Sequence, residues 1–278
     1  MTGATTDGFG LANQVTVVTG AGRGIGRAIA LRLAGAGAEV IGLDLAGADE
    51  TSAAIHAGGG RASSYVCDMG RVEQVRSVFD AIASTTDGID VLINNAALGS
   101  HTPPLELTRA SLIRLVDVNV GGYFFAAQAA FPLLTARGGG SIVNISSIAG
   151  SSALGRGNLP FSMTKAAIEQ MTRELAIEWA TSGIRVNAIA PCQVRTEGFQ
   201  PLLDEDGGSP GERFLRGIPL GRLAEPEDIA SATLFLASPA ASFITGVVLA
   251  VDGGNQAMNA GATVGAVPNA VGTTGRAG

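Results

Sequence analysis

The chain has 278 residues, 46% of them hydrophobic and 15% charged, with 40 glycines and a formal net charge of -6. That profile fits a compact globular protein with a large apolar interior and excludes a disordered chain, and the scattered basic residues give a phosphate backbone nothing to hold, so no nucleic acid partner is expected. Residues 1–10 carry neither a basic patch nor an apolar run, and the most apolar stretch, 121–134, is too short for a bilayer and is interrupted by Gln128 and Pro132, so a cytoplasmic protein without membrane contact is expected.

Short β-rich runs alternate with longer helical patterns along almost the whole chain, which is the signature of repeated βαβ units. The first strand is expected over 15–19, followed by the turn Gly20-Ala21-Gly22-Arg23-Gly24-Ile25-Gly26. A helix over 25–34 follows, with Ile25, Ala28, Ile29 and Leu33 at helical spacing and the Gly35-Ala36-Gly37 stretch ending it. Strands are expected over 39–43 and 64–67, then a helix over 71–84 built on Val72, Val75, Val78, Phe79 and Ile82. A strand over 91–93, an apolar helix over 107–118 and a strand over 141–145 come next. A helix opening at Lys165 runs to 180 on Ile168, Met171, Leu175, Ile177 and Trp179, and Gly183 closes it. After a strand over 185–189, the segment 200–217 carries Asp204-Glu205-Asp206-Gly207-Gly208 and Pro210, breaks any periodicity and reads as an inserted mobile lid.

The last strand is expected over 247–251, and beyond Asp252-Gly253-Gly254 all pattern is lost. The expected architecture is therefore α/β: one Rossmann-like, doubly wound domain over 1–254 with a seven-stranded parallel sheet, and a tail over 255–278 that is flexible or bridges to another subunit.

The glycine-rich turn lies directly between a strand and a helix. Glycines let the backbone approach a pyrophosphate, and the helix N-terminus offers it unpaired N–H groups and positive dipole. Asp44 ends the second strand, where a carboxylate can accept hydrogen bonds from an adenosine ribose and would repel a 2'-phosphate. Arg23 pulls the other way if it meets such a phosphate, or is a solvated loop residue. NAD is expected over NADP. Cys67, Cys192, His56 and His101 are the only cysteines and histidines and show no metal-ligand spacing, so free thiols and no metal are expected.

The G-x-x-x-G-x-G turn, Asn94-Asn95-Ala96-Ala97 after the fourth strand, Asn119, Ser147 and a motif ending at Lys165 together resemble the short-chain dehydrogenase/reductase family over about 15–254. The resemblance implies a nicotinamide-dependent enzyme that interconverts a secondary alcohol and a ketone and assembles as a dimer or tetramer; the helices over 107–118 and 165–180 carry more apolar surface than one sheet face needs, so a homotetramer is expected. It implies that Gly20, Arg23, Gly24, Ile25, Gly26 and Asp44 face the cofactor, and that Asp68 and Met69 border the adenine. It places Asn95 and Ala96 on the adenosine side, Val194 and Thr196 at the nicotinamide carboxamide, and Lys165 on the ribose.

It also implies a reaction centre in which Ser147 holds the substrate oxygen, Lys165 lowers the pKa of a tyrosine, and Asn119 holds a water on the proton path. Ser146 competes with Ser147, and strand alternation points the two in opposite directions. The tyrosine is missing: Phe161 stands four residues before Lys165. Hydride transfer to a carbonyl leaves an alkoxide that something must protonate, and a phenyl ring has no proton to give. Three readings follow: a dehydrogenase impaired by replacement of its tyrosine, a non-redox isomerase, lyase or cyclase with structural NAD, or an NAD-binding regulatory protein. His101, Cys192 and Ser162 are the remaining side chains that could carry the proton. Arg156, Arg195 and His101 could give the substrate wall an anion-accepting character suited to a sugar acid or polyol.

Overall fold

The computed structural model describes residues 8–200 and 212–258. The strands are β1 (Val15–Thr19), β2 (Glu39–Asp44), β3 (Arg61–Val66), β4 (Val91–Asn94), β5 (Gly140–Ile145), β6 (Ile184–Pro191) and β7 (Val248–Val251). They form one seven-stranded sheet in the order β3-β2-β1-β4-β5-β6-β7, and every neighbouring pair is parallel. The chain builds outward from β1 through β2 and β3, then crosses to the other side at β4. That reversal opens a crevice beyond the carboxyl ends of β1 and β4, where sheets of this kind take their ligands.

Alternation along the central strands decides which face each residue serves. Val17, Ile41, Leu92, Ile142 and Val186 point into one buried cluster, while Val18, Val40, Val91, Ile93, Val143 and Ile189 point into the other. The helices α1 (Gly24–Gly35), α2 (Asp49–Ala57), α3 (Val72–Ala83), α4 (Arg109–Val116), α5 (Gly122–Ala136), α6 (Leu159–Glu178), the short α7 (Glu212–Leu215) and α8 (Pro226–Ala237) complete the described elements. Ile29, Ala30 and Leu33 of α1 and Ile229, Ala230 and Leu234 of α8 close the second cluster; Val75, Phe79, Ala126, Ala130 and Leu175 from α3, α5 and α6 close the first.

Several boundaries differ from expectation for identifiable reasons. β3 spans Arg61–Val66 rather than 64–67; as an edge strand its N-terminal half is polar, held by parallel pairing of Arg61 with Glu39 and an ion pair of 2.9 Å between them. The helix expected over 107–118 is α4, and it runs through a π-helical turn, Asp117–Gly121, straight into α5. Pro132 lies inside α5 and does not break it. α6 opens at Leu159, not at Lys165, with Pro160 in its first turn, where a missing N–H and a fixed φ cost nothing. Asn255 donates to Gly217 O and Gln256 Nε2 to Ser151 Oγ, so the body extends slightly past 254. Most of the expected lid and tail, 201–211 and 259–278, and residues 1–7 lie outside the described residues. Among those described, no helix is long and apolar enough to cross a membrane, and no group of three or more His, Cys, Asp or Glu could hold a metal ion.

Candidate active site

The glycine turn is held by its own backbone and by Asn95. Gly20 N and Ala21 N donate to Leu43 O at 2.7 and 3.1 Å, and Gly20 and Gly24 take φ of +68° and +53°. A Cβ on Gly26 would lie 1.9 Å from Gly20 O, so helix and loop touch in a way that only glycine permits. Asn95 Nδ2 donates to Thr19 O and Gly20 O at 3.0 and 3.2 Å, and the Thr19 hydroxyl accepts from Asn95 N and Ala96 N. Asn95 and Ala96 thus clamp the turn as well as facing the crevice. No side chain caps α1, which leaves its first N–H groups for a ligand.

A crevice of about 330 Å³ runs from this turn past Asp44, Asp68 and Met69. Asp44 Oδ2 accepts from Gly22 N at 3.0 Å and Oδ1 from Ala46 N at 3.2 Å, which fixes the carboxylate at the crevice mouth. Arg23 is exposed on the same rim. Asp68 accepts both oxygens' worth of hydrogen bonds from Arg114 Nη2, at 3.0 and 3.1 Å. Burial pushes its carboxyl up, but the Gly70 N–H and the Arg114 guanidinium outweigh that and hold it below the usual range. Sequence reading missed Arg114; it is a helix-face cation indistinguishable from a solvated one until the fold brings it to Asp68.

A second cavity of about 330 Å³ continues from the first, sharing Ile25, Asn95 and Thr196, and is lined by Ser147, Phe161 and Lys165 among others. Phe161 and Lys165 share a face one turn apart on α6, and the Lys165 Nζ lies 5.5 Å from the Phe161 ring centroid. Lys165 is buried in the second turn of its helix, not at the helix start. Its Nζ donates to Ile145 O at 2.7 Å and sits 5.3 Å from the ring of Tyr123. Tyr123, also missed from sequence, is buried and donates to the same carbonyl at 3.0 Å. It was legible only as one of two tyrosines in the chain.

Burial pulls the Lys165 ammonium down from 10.5 to about 7. Between those values the unfolded chain binds a proton that the folded chain does not, so this group's share of stability is present above 10.5, falls as pH falls, and is gone below about 7. Denaturant melts from pH 7 to 9 are expected to show a rising contribution in the native chain that Lys165→Met lacks. Parallel pH profiles for the two proteins would contradict this.

The two serines separate cleanly. Ser146 is buried, and its hydroxyl lies 3.2 Å from Lys165 O and 3.3 Å from Glu169 Oε1; burial pushes the Glu169 carboxyl up. Ser147 Oγ accepts from Ala149 N at 3.1 Å, capping a short turn, and its O–H remains available to the cavity. Asn119 lies in the π-helical turn, one layer behind the cavity and outside its wall. Its Oδ1 accepts from Leu98 N at 2.8 Å, and its Nδ2 donates to Leu98 O and Thr164 Oγ1 at 2.9 and 3.1 Å. Val194 is buried and bridges to Ala224. Thr196 stands over the start of α1, its methyl 3.4 Å from where a Gly24 Cβ would be.

Of the substitute proton carriers, His101 is exposed on the cavity rim. Cys192 also lines the cavity, but burial pushes its thiol up, which leaves it a poor source of thiolate.

The family model described as enoyl-(acyl carrier protein) reductase matches residues 20–256. The 4-formylbenzenesulfonate dehydrogenase TsaC1/TsaC2 of Comamonas testosteroni is 41% identical over 250 residues, covering 88% of this chain and 99% of that one. The cis-4-hydroxycyclohexanecarboxylate dehydrogenase of Sinomonas cyclohexanicum is 40% identical over 257 residues, covering 90% and 100%. A crystal structure of gluconate 5-dehydrogenase from Burkholderia cenocepacia J2315, in complex with NADP and tartrate, superposes with a TM-score of 0.84 at 32% identity, covering 91% and 99%.

Proposed function

The chain belongs to the short-chain dehydrogenase/reductase family, an oxidoreductase of secondary alcohols in kind, and on that premise we propose that it binds NAD and carries every part of a hydride-transfer site except the proton donor. The observation that carries this reading is the cavity that Ser147, Phe161 and Lys165 line together, with the phenyl ring near the lysine.

The residues fit a dinucleotide: side-chain-free glycines at Gly20 and Gly26, the uncapped start of α1, and the Asp44 carboxylate at the crevice mouth. When bound, the dinucleotide would supply or take up the hydride at its nicotinamide ring. Gly20, Gly24, Ile25 and Gly26 would hold its pyrophosphate and Asp44 its adenosine ribose. Asp68, Met69, Asn95 and Ala96 would line the adenosine side, Val194 and Thr196 the carboxamide, and Lys165 the nicotinamide ribose. Ser147 donates its free O–H to the substrate oxygen. Lys165 contributes positive charge near that oxygen, and Asn119 keeps α6 and the Leu98 loop in register behind it. Phe161 packs and gives no proton, so the alkoxide is protonated slowly from solvent. A homotetramer would pair through the apolar side chains left exposed on α4 and α5, Ile113, Val116 and Phe124.

NAD is preferred because the fixed Asp44 carboxylate meets any 2'-phosphate with like charge, and the following Leu45, Ala46 and Gly47 bring no cation. The Burkholderia relative holds NADP, so this preference separates the two proteins. Calorimetry is expected to give NAD at least about tenfold tighter binding than NADP, narrowing in Asp44→Ser, since one unscreened like-charge contact of about 1.4 kcal/mol is worth a factor of ten. Equal affinities in the native chain would refute it.

The reaction itself is tested in Phe161→Tyr with NADH carrying deuterium at nicotinamide C4. Deuterium is expected on the carbinol carbon of the product, and its absence across a broad ketone panel would overturn the dehydrogenase reading. Two of the relatives are named for a sulfonate or a carboxylate, and the third holds tartrate; the substrate proposed here likewise carries an oxyanion away from its reacting carbon.

A further inference from the structure

Three polar side chains near the cavity could meet such an oxyanion, and the structure distinguishes them. Arg195 is already paired, its Nε donating to Glu225 Oε1 at 3.1 Å. His101 lies on the rim and lacks the planar N–H fork of a guanidinium. Arg156 is exposed and has no carboxylate partner among the described residues. Its guanidinium rests 5.6 Å from the centroid of the Phe214 ring. Phe214 in turn stacks on Phe199 at 5.1 Å, and Phe199 lines the cavity, as do Leu154 and Asn158 on either side of Arg156.

The backbone there is held in an unusual shape. Gly155, Arg156 and Gly157 take φ of +67°, +54° and +72° in succession. Arg156 and Asn13 are the described non-glycine residues with positive φ, and asparagine enters that region more readily than arginine. The turn is also wedged in place, since a Cβ on Gly157 would lie 2.4 Å from the His101 carbonyl carbon. Residues held in sparsely populated conformations by their surroundings concentrate at ligand-binding positions. Lys165, the lysine or arginine that lines the cavity among the described residues, is buried and spends a donor on Ile145 O. The stretch 201–211 contains no lysine or arginine, so it adds no competing cation.

We infer that Arg156 is the specificity-determining residue that receives the carboxylate or sulfonate of the substrate at the cavity rim. A guanidinium over an aromatic ring, without a carboxylate partner among the described residues, keeps N–H donors for a ligand, and its planar fork suits bidentate recognition of such groups. This inference rests on the dehydrogenase reading above.

The test uses the native chain, which is expected to bind without rapid turnover, saturated with NADH and titrated calorimetrically with cyclohexanecarboxylate and with neutral cyclohexanecarboxamide. The carboxylate is expected to bind at least about tenfold tighter, consistent with a charge-assisted pair. Arg156→Asn should abolish that preference while Tm holds or rises, because asparagine accepts the left-handed backbone. Arg156→Gly should behave alike, and loss of stability in both would mark a merely structural arginine and overturn the inference. No preference in the native chain, or a preference that survives in Arg156→Asn, would also overturn it. NADH bound tightly with no carboxylate preference defeats this inference alone, whereas NADH failing to bind defeats the underlying reading as well.

Discussion

Phe161→Tyr is expected to raise kcat/KM by about 10² to 10⁴, which corresponds to about 3 to 5.5 kcal/mol of barrier. The ring lines the same cavity as Ser147, is half-buried, and has its centroid 5.5 Å from Lys165 Nζ, so it is a cavity-lining side chain rather than packed core. Lys165 has no carboxylate beside it; its charge is opposed by burial alone, with Ile145 O as its hydrogen-bond acceptor. A phenol placed next to that ammonium gains a partner that favours its ionised form, so its pKa falls from the ordinary tyrosine value of about 10 toward the working range. By reciprocity the lysine is held charged to higher pH, which should weaken the stability trend between pH 7 and 9 described above. Steady-state kinetics on both proteins, with KM and kcat resolved, check the point. The gain should appear mainly in kcat, since substrate binding does not need the proton.

Gly26→Ala is expected to abolish dinucleotide binding and to destabilise the fold. Its Cβ would lie 1.9 Å from Gly20 O and 2.5 Å from Asn95 Nδ2. Neither neighbour can give way cheaply: one is backbone, and the other is the amide that clamps Thr19 O and Gly20 O. Overpacking of this kind costs about 1 to 3 kcal/mol even where side chains can adjust. Here the turn must move, and with it the N–H groups at the start of α1. A drop of several degrees in Tm with at least about a hundredfold loss of NAD affinity is expected. An alanine variant that binds NAD normally would show that the turn does not touch the dinucleotide. Gly35→Ala makes the control, because a Cβ there meets nothing within 4 Å.

The sheet was legible in the sequence because its central strands are buried on both faces and read as short apolar runs, as at Val91–Asn94 and Gly140–Ile145. The edge strand β3 was not, since polar Arg61 and Ser63 lie on its exposed face and Ser64, on the other, accepts from Ala48 N. α2 escaped notice because its buried side is Thr51, Ser52 and Ile55, too little apolar spacing to stand out. α6 starts at Leu159 with Pro160 in its first turn, ahead of the expected start at Lys165, so Lys165 is a buried cation inside the helix rather than a helix-end one. The candidate site residues were legible as types at set spacings. What they touch was not: whether Ser146 or Ser147 keeps a free hydroxyl depends on Glu169 and on the Lys165 carbonyl, and whether Arg195 or Arg156 is paired depends on Glu225, far along the chain. Asn119 illustrates the same limit, since its amide is committed to Leu98 and Thr164 rather than turned to the cavity.

The most direct test compares the native chain and Phe161→Tyr for NAD affinity and for single-turnover alcohol oxidation followed at the NADH absorbance. If one hydroxyl is all the site lacks, NAD affinities should agree within about twofold while hydride transfer is fast in the tyrosine variant alone. A tyrosine variant that binds NAD yet oxidises no secondary alcohol in a broad panel, or a native chain that turns over as fast as the variant, would contradict it.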